Sequence, residues 1–537
     1  MKARLQWSED GQRKAVVAVV LGLLVWVDLL LMIALHVDGG ADIDSINFGP
    51  SAIRFDMLQQ QPHPPGYPGY VLWLKLIHLL VPSLGPIEIA EWASRLCGLL
   101  CIPASYWACR QLLDGGGAAR PLLAASLVAL HPMLVKYGSD GQSHAAEALA
   151  TLLLFGATAA VVRHATLARR LLLVVAFALA GSVRPTIPLL SLPMLLWLLW
   201  RRPWKEWLLA LGVGVVTVLI WALPVIMLSG GWSLYRRATA ALLTDFYGAT
   251  DSVFGARATW KMVITNVNIA LVSSAIAGIP LLAWSRGEAK WRRALWATVG
   301  LNIVFYAIVY CAETGYLIAV AALSCLAPAS WPPTLGRLLR GRIALAVALG
   351  PVFLFLAPAS VPLVIFSRIE LPTFSQALAR DAFQTAYRGL VCEAAGGKSS
   401  LALSNDPRMG SHRGVPLKCP NVLFASSLGG LESNPKIDNL IIASAQGLVG
   451  LPTGIPLEIG RPVEYRLPVP VERVLLAPDA TPQFVDEISR QALCPRLAEA
   501  ERALGDDRVL VWPARCLPRL QIGKNVLLLT APTSVLP

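Results

Sequence analysis

The sequence predicts a mainly α polytopic membrane protein of about eleven transmembrane helices, followed by a soluble C-terminal α/β domain. Three observations lead there. Hydrophobic residues make up 55% of the 537 residues, charged ones only 15%, and the mean hydropathy is +0.58, more apolar side chain than water solvates. The apolar residues gather into runs long enough to cross about 30 Å of hydrocarbon. From about residue 371 onward charges, Gly and Pro rise, and short β-prone runs appear.

The first run, 15–37, follows the charged tail KARLQWSEDGQRK. It is too long for a signal core and lacks a small-residue cleavage site, so it reads as an anchor that stays. Further runs lie at 94–112, 121–136, 144–162, 171–183, 185–200, 206–229, 263–285, 294–312, 315–331 and 343–366. As one helix, 171–200 would rise about 45 Å, too far for a single span. GSVRP, residues 181–185, breaks it in the middle and predicts two short spans around an outer hairpin tip.

Lys and Arg occur in small groups between the runs, so the formal charge of +13 reads as topology signals and no nucleic-acid partner is expected. Their distribution puts the N-terminus in the cytoplasm. The segment 230–262 departs from the rule, because Arg236, Arg237, Arg257 and Lys261 then fall on the outer side.

An odd number of spans leaves everything after about 367 outside, which is the periplasm if the cell is Gram-negative. Residues 1–370 thus form the membrane domain, with 38–93 as its first outer loop, and 371–537 the extracytoplasmic α/β domain. That domain alternates β-prone runs such as SLALSN, NLIIAS, RVLLAP, RVLVWP and NVLLLT with a helical stretch, TPQFVDEISRQAL, and is large enough to bury its own core. In an oxidising compartment Cys392, Cys419, Cys494 and Cys516 are available for up to two disulfides, their pairing open. Cys97, Cys101, Cys109, Cys311 and Cys325 sit in or beside apolar runs and read as small buried hydrophobes.

The loop 38–93 is too long for a simple connection. It carries Asp38, Asp42, Asp44, Asp56, His63, Glu88 and Glu91. A carboxylate just outside the membrane stays ionised and is close enough to a headgroup to take a proton from a hydroxyl or amine beside a lipid-linked donor. The bland alternative is that these acids solvate the loop. Asp42 and Asp44 also form a D-x-D, which makes a divalent cation conceivable and leaves metal dependence open.

In QPHPPGYPGY, residues 61–70, the prolines fix a stiff, non-helical backbone, which must be covered by protein or line a wet cavity. The amphipathic stretch YVLWLKLIHLLVP that follows reads as an interfacial helix. Arg184, beside Pro185 at the hairpin tip, is a costly charge in such a place, and its guanidinium fork suits an anionic oxygen group there. The competing reading has Arg184 snorkelling to water. Arg236, Arg237, Arg257 and Lys261 fit a donor phosphate or ordinary anionic membrane lipids equally well. Lys136, Tyr137, Asp140, His144 and Glu147 at an outer turn suit sugar hydroxyls or orientation of a base; the alternative is that they cap helix ends. Glu313 occupies another outer turn.

The pieces DSINF (44–48), HPPGYP (63–68), KYGSDGQSHAAEAL (136–149) and SVRPTIP (182–188) together resemble the bacterial relatives of the protein O-mannosyltransferases. Those are type C glycosyltransferases, with the aminoarabinose transferases and the oligosaccharyltransferase catalytic subunit as distant cousins. The similarity covers about residues 10–330. It implies an enzyme that moves a sugar from a polyprenyl-phosphate carrier to a glycan, glycolipid or protein acceptor on the outer face of the bacterial cytoplasmic membrane. A carboxylate of the first outer loop acts as base in such enzymes, which by motif position implies Asp44, with Asp42 second. The resemblance also implies substrate contacts for His63, Tyr67 and Tyr316. Where relatives carry prolines after G-Y-L, this chain has IAVAALS, a departure at Tyr316.

A transporter or flippase of a lipid-linked or anionic substrate is the alternative function. Against it, the ionisable residues gather at the outer ends of the runs, and no duplicated half is visible. A non-catalytic assembly protein is a third reading.

Overall fold

The structure, a computed structural model, describes residues 2–35, 43–55, 57, 62–113, 117–241, 260–282, 289–309, 311 and 314–330, and nine short strands between 362 and 528. Helices α1 (Lys2–Ala34), α2 (Ile43–Ser51), α3 (Pro68–Leu80) and α4 (Pro86–Leu112) come first. Then follow α5 (Ala119–Ala129), α6 (Pro132–Ser139), α7 (His144–Arg163), α8 (Leu167–Val183), α9 (Thr186–Leu190), α10 (Leu192–Leu199), α11 (Trp204–Leu228) and α12 (Trp232–Ala241). The last are α13 (Trp260–Leu282), α14 (Ala289–Ile308), a 3₁₀ turn at Thr314–Leu317, α15 (Ile318–Ser324) and a 3₁₀ turn at Ala327–Ser330.

Among the described residues α1, α7 and α11 are long and apolar enough to cross a membrane, and α5 with α6, bent by 54° at the break between them, has the composition of a broken span or a re-entrant loop. The protein is a multi-pass membrane protein, although these criteria pass fewer helices than the eleven runs expected. In α7 67% of the apolar window is buried, against 11% in α1 and α11, which makes α7 the central helix and the other two the rim. The exposed Leu, Val and Trp residues along α1 and α11 are what a lipid-facing surface requires. The main core lies among α4, α5, α7, α8 and α13–α15.

The breaks follow from chain chemistry. Pro132 cannot donate to a continuing helix, and His131 caps the new start with Nδ1 accepting the Met133 N–H at 3.3 Å. At the GSVRP break Pro185 disfavours αR for the residue before it, and Arg184 is extended (φ −155°, ψ 120°) at the end of α8. On the far side of α8 buried Arg170 donates to Glu206 of α11 at 2.8 Å.

Two expectations need correction. The second run begins at Pro86, not 94, so Glu88 and Glu91 belong to α4 instead of the loop. Glu88 Oε2 accepts the Gly85 N–H at 2.7 Å as an N-terminal cap, and Glu91 is buried against Arg95 at 3.2 Å. Within the expected last span, Pro362–Val364 instead forms strand β1, antiparallel to β2 (Arg368–Glu370). Pro358 and Pro362 interrupt any helix there.

Further on, β3 (Ser400–Leu403) pairs in parallel with β4 (Val422–Ala425) and with β6 (Arg473–Leu476), and β6 runs antiparallel to β7 (Leu510–Pro513). A third sheet joins β5 (Tyr465–Arg466), β9 (Val526–Leu528) and β8 (Gln521–Gly523). The stretch expected to be helical at 481–493, and Cys392, Cys419, Cys494 and Cys516, lie outside the described residues. The five earlier cysteines are all buried thiols, as expected of small hydrophobes.

Candidate functional site

The segment between α1 and α4 supplies one half of the site. Asp44 lies in the first turn of α2, where a carboxylate complements the helix dipole, and its side chain is 36% exposed. At its other end α2 is held by Lys75, whose Nζ donates to the Ala52 carbonyl at 3.3 Å, and by Phe48, whose ring meets those of His63, Tyr67 and Tyr70 edge-on. The proline turn is covered by protein, as its stiff backbone demands: Pro62, Pro64 and Gly66 are buried. Tyr67 is held at φ 42°, a left-handed conformation that costs a non-glycine residue free energy and that surrounding packing must enforce. Pro68 then opens α3 at its first position, where no N–H is missed. One face of α3 (Tyr70, Val71, Leu74, Ile77) is buried and the other exposed, as an interfacial helix requires.

Within this turn His63 Nε2 bonds Tyr67 Oη at 3.2 Å, and His63 Nδ1 faces Asp44 Oδ1 at 3.6 Å. Burial, and then the positive field of Arg184, lower the His63 pKa to about 3. The ring is therefore neutral at pH 7, so its approach to Asp44 is not an ion pair, and 3.6 Å is too long for a hydrogen bond.

The second half comes from α6, α7 and α8. Arg184 Nη1 lies 3.2 Å from Glu147 Oε2 and 2.6 Å from His144 Nδ1, with the Arg and Glu side chains only 9% and 1% exposed. A guanidinium only donates, so His144 Nδ1 is the acceptor and carries no proton. The Arg184 Cζ sits 5.3 Å from the centroid of the Tyr316 ring, a cation–π distance, and the Tyr316 ring lies 5.7 Å from that of His144. Tyr137 packs against His144 at 4.9 Å, bonds Thr314 Oγ1 at 2.9 Å and accepts from Lys136 Nζ at 3.2 Å. Snorkelling of Arg184 to water is thus overturned: its charge is buried and compensated.

Both described polar contacts of the Arg184 guanidinium run through Nη1, which leaves the Nη2 and Nε donors of the fork for an anion. The two halves meet where Gly69 packs on the Ser182 and Val183 backbone, two residues before Arg184; a Cβ at Gly69 would lie 3.0 Å from the Ser182 carbonyl carbon.

Asp140 lies in the turn between α6 and α7. It is buried and accepts the Gln142 N–H at 3.3 Å, while Tyr70 and Ser94 donate to the Gln142 carbonyl at 3.0 and 2.6 Å, so the α6–α7 turn is pinned to α3 and α4. Arg236 is exposed on α12, beside Tyr235, which packs against Phe55, Met57 and Val225. Asp42, Arg257 and Glu313, and the side chains of Arg237 and Lys261, lie outside the described residues. Among the described residues no three His, Cys, Asp or Glu side chains converge as a metal site; Asp44 and His63 make a pair.

No known protein family matches the sequence, and neither does any curated protein. The fold does have a counterpart. ArnT from Cupriavidus metallidurans, in its structure bound to undecaprenyl phosphate, aligns over 93% of this chain and 97% of its own, with a TM-score of 0.54 and 14% identity. The chain has the type C glycosyltransferase fold. At that identity the likeness speaks for the fold alone. The apo structure of the same ArnT aligns over 70% of this chain and 71% of its own (TM-score 0.42, 18% identity). The archaeal oligosaccharyltransferase AglB from Archaeoglobus fulgidus, in complex with an inhibitory peptide and a dolichol-phosphate, aligns over 87% and 70% (TM-score 0.42, 12% identity). At those scores neither likeness adds to the fold assignment.

Within this type C fold, sequence reasoning missed Tyr306, Thr314 and Asn266. Tyr306 packs on Tyr316 at 5.2 Å and feels the charge of Arg184. All three sit in or beside apolar runs, where nothing local marks a polar residue as part of a site.

Proposed function

We propose that the protein transfers a sugar from a polyprenyl-phosphate carrier to an acceptor at the outer face of the bacterial cytoplasmic membrane. Arg184 receives the carrier phosphate and Asp44 is the base. The acceptor O–H gives its proton to the Asp44 carboxylate as its oxygen bonds the anomeric carbon. The bond from that carbon to the phosphate oxygen breaks, and the electron pair leaves with the phosphate. A single displacement of this kind inverts the anomeric carbon.

One observation carries the reading: a buried guanidinium with two uncommitted donors stands against the proline turn, whose His63 faces Asp44. The fold is shared with a protein whose structure contains undecaprenyl phosphate, which supports a lipid-phosphate carrier as the ligand. His63, held neutral, adds no competing positive charge beside the base. Tyr67 and Tyr316, half-buried, supply ring faces on which a sugar can stack, whereas Tyr137 is fully buried and backs His144. His144 and Glu147 orient Arg184, Lys136 adds a cation against Tyr137, and Asp140 keeps the α6–α7 turn in place. Arg236, Arg237, Arg257, Lys261, Asp42 and Glu313 remain candidates for donor and acceptor contacts, with Asp42 also the second acid, beside Asp44, that a divalent cation would take. The domain after residue 371 is assigned to the outer face.

The test uses the full chain in lipid nanodiscs with a radiolabelled polyprenyl-phosphate sugar and an envelope extract as acceptor. The parent transfers label, and Asp44→Asn loses at least about 100-fold of the rate while binding undecaprenyl phosphate as before. Equal rates would remove Asp44 from the chemistry. Label crossing the bilayer without transfer would establish the transporter instead. Mass spectrometry of surface glycans in a deletion strain names the acceptor.

A further inference from the structure

We infer that Asn266 is a positioning residue that holds Tyr316 against Arg184. Asn266, fully buried in α13, donates from its amide nitrogen to two carbonyls in the last turn of α14, Tyr306 at 3.2 Å and Ala307 at 2.7 Å. Those carbonyls belong to the final four of a helix, which have no partner within it. Its amide oxygen accepts the N–H of Cys311, three residues ahead of Thr314. The orientation of the amide follows from this pattern, since two acceptors require the NH₂ and one donor requires the oxygen.

One planar group thereby ties three segments: α13, the end of α14 with Tyr306, and the entry to the turn with Thr314, Gly315 and Tyr316. That turn has little freedom of its own. A Cβ on Gly315 would stand 2.6 Å from the Tyr137 ring and 2.9 Å from His144, and Thr314 already bonds Tyr137. The turn is therefore held from the α6 side by Tyr137 and from the α13 side by Asn266, and Tyr316 lies between them, over the guanidinium. An aspartate has the shape of asparagine but turns two donors into an acceptor facing two carbonyls, so Asn266→Asp releases the α13 tether. Asn266→Gln keeps the amide on a longer arm and gives a smaller release.

The position of Tyr316 can be read without any activity. With 3-fluorotyrosine incorporated at Tyr316 in the full-length protein in nanodiscs, Asn266→Asp shifts or broadens the ¹⁹F resonance, and Asn266→Gln does so less. Thr298→Val, which removes a bond wholly inside α14 at 2.8 Å, leaves it unmoved. A resonance unmoved in both Asn266 variants, or moved equally by Thr298→Val, overturns the inference; if Asn266→Asp does not fold, Asn266→Gln decides alone.

A second arm rests on the proposed role of Arg184. Asn266→Asp and Tyr316→Ala each weaken undecaprenyl phosphate binding about tenfold, and the double variant is no weaker than the worse single, because both act through one contact. Losses that multiply overturn the action through Tyr316. If the resonance moves while every variant, Arg184→Ala included, binds carrier like the parent, the positioning stands and the functional reading falls.

Discussion

Glu147→Leu tests the arrangement of charge most directly. Glu147 lies 3.2 Å from Arg184, with side chains 1% and 9% exposed, so the substitution leaves a buried guanidinium that cannot shed its proton. Removing one partner of a buried pair costs about 3–5 kcal/mol. The bond from Arg184 to His144 Nδ1 at 2.6 Å survives and retains part of that charge's solvation, which places the expected loss near the low end, about 3 kcal/mol. The double variant Glu147→Leu/Arg184→Leu removes both charges and fills the space with apolar atoms, so it returns to within about 1 kcal/mol of the parent. Carrier phosphate is then a rescuing ligand for the single variant only. At a hundred times its dissociation constant it adds about 2.7 kcal/mol to the stability of any form that binds it, and the single variant, with no carboxylate competing for the guanidinium, binds it more tightly than the parent. The assay is reversible denaturation in mixed micelles followed by tryptophan fluorescence, for which the 17 tryptophans give signal, with and without undecaprenyl phosphate. A single variant as stable as the parent, or a double variant as weak as the single, would refute the reasoning.

Gly315→Ala places a methyl 2.6 Å from the Tyr137 ring; overpacking of this kind costs about 1–3 kcal/mol, and slowed transfer with an intact fold by circular dichroism is the expected result. His63 has a folded pKa of about 3, below its unfolded value, so the unfolded chain binds the extra proton between those two values. Stability from this group is complete above about pH 6.5 and is lost as the pH falls towards 3; His63→Gln flattens that part of a stability–pH curve, and an unchanged curve would contradict it. Lys75→Met removes the cation at the end of α2 and costs about 0.3–1 kcal/mol, read as a lowered melting temperature together with a lower transfer rate because Asp44 rides on that helix.

Hydropathy made the helices legible wherever a span carries only one or two charges, near its ends. The expected run 144–162 is α7, His144–Arg163, and 206–229 is α11, Trp204–Leu228. The break at GSVRP was legible for the same reason that it exists, because Pro185 restricts Arg184. The start of α4 was not read, since Glu88, Glu91 and Arg95 lower the hydropathy of its first turns. Glu88 is spent on the cap and Glu91 is paired with Arg95, so these charges are compatible with a helix. The sequence did contain the cue, in Gly85, Pro86 and an acid at the third position, which is a helix-start signature. Strand β1 lay hidden because an apolar run interrupted by prolines looks like a span to any sliding average.

The site was legible only as separate pieces. Asp44, His63 and Tyr67 were recognised as one motif, and Arg184 as another, but what Arg184 does depends on Glu147, a residue on a different helix. That pairing bears on the proposed chemistry. A carrier-linked sugar presents a phosphodiester with one negative charge; as the sugar departs, the phosphate gains a second. With Glu147 already neutralising it, Arg184 has modest attraction for the first form. Its uncommitted Nη2 and Nε donors meet the second as charge builds on the leaving oxygen, inside a site too dry to screen it. Glu147 therefore weakens hold on the donor without removing the donors that face the departing oxygen, and a guanidinium so compensated favours the transition state over the bound substrate, the condition for faster turnover.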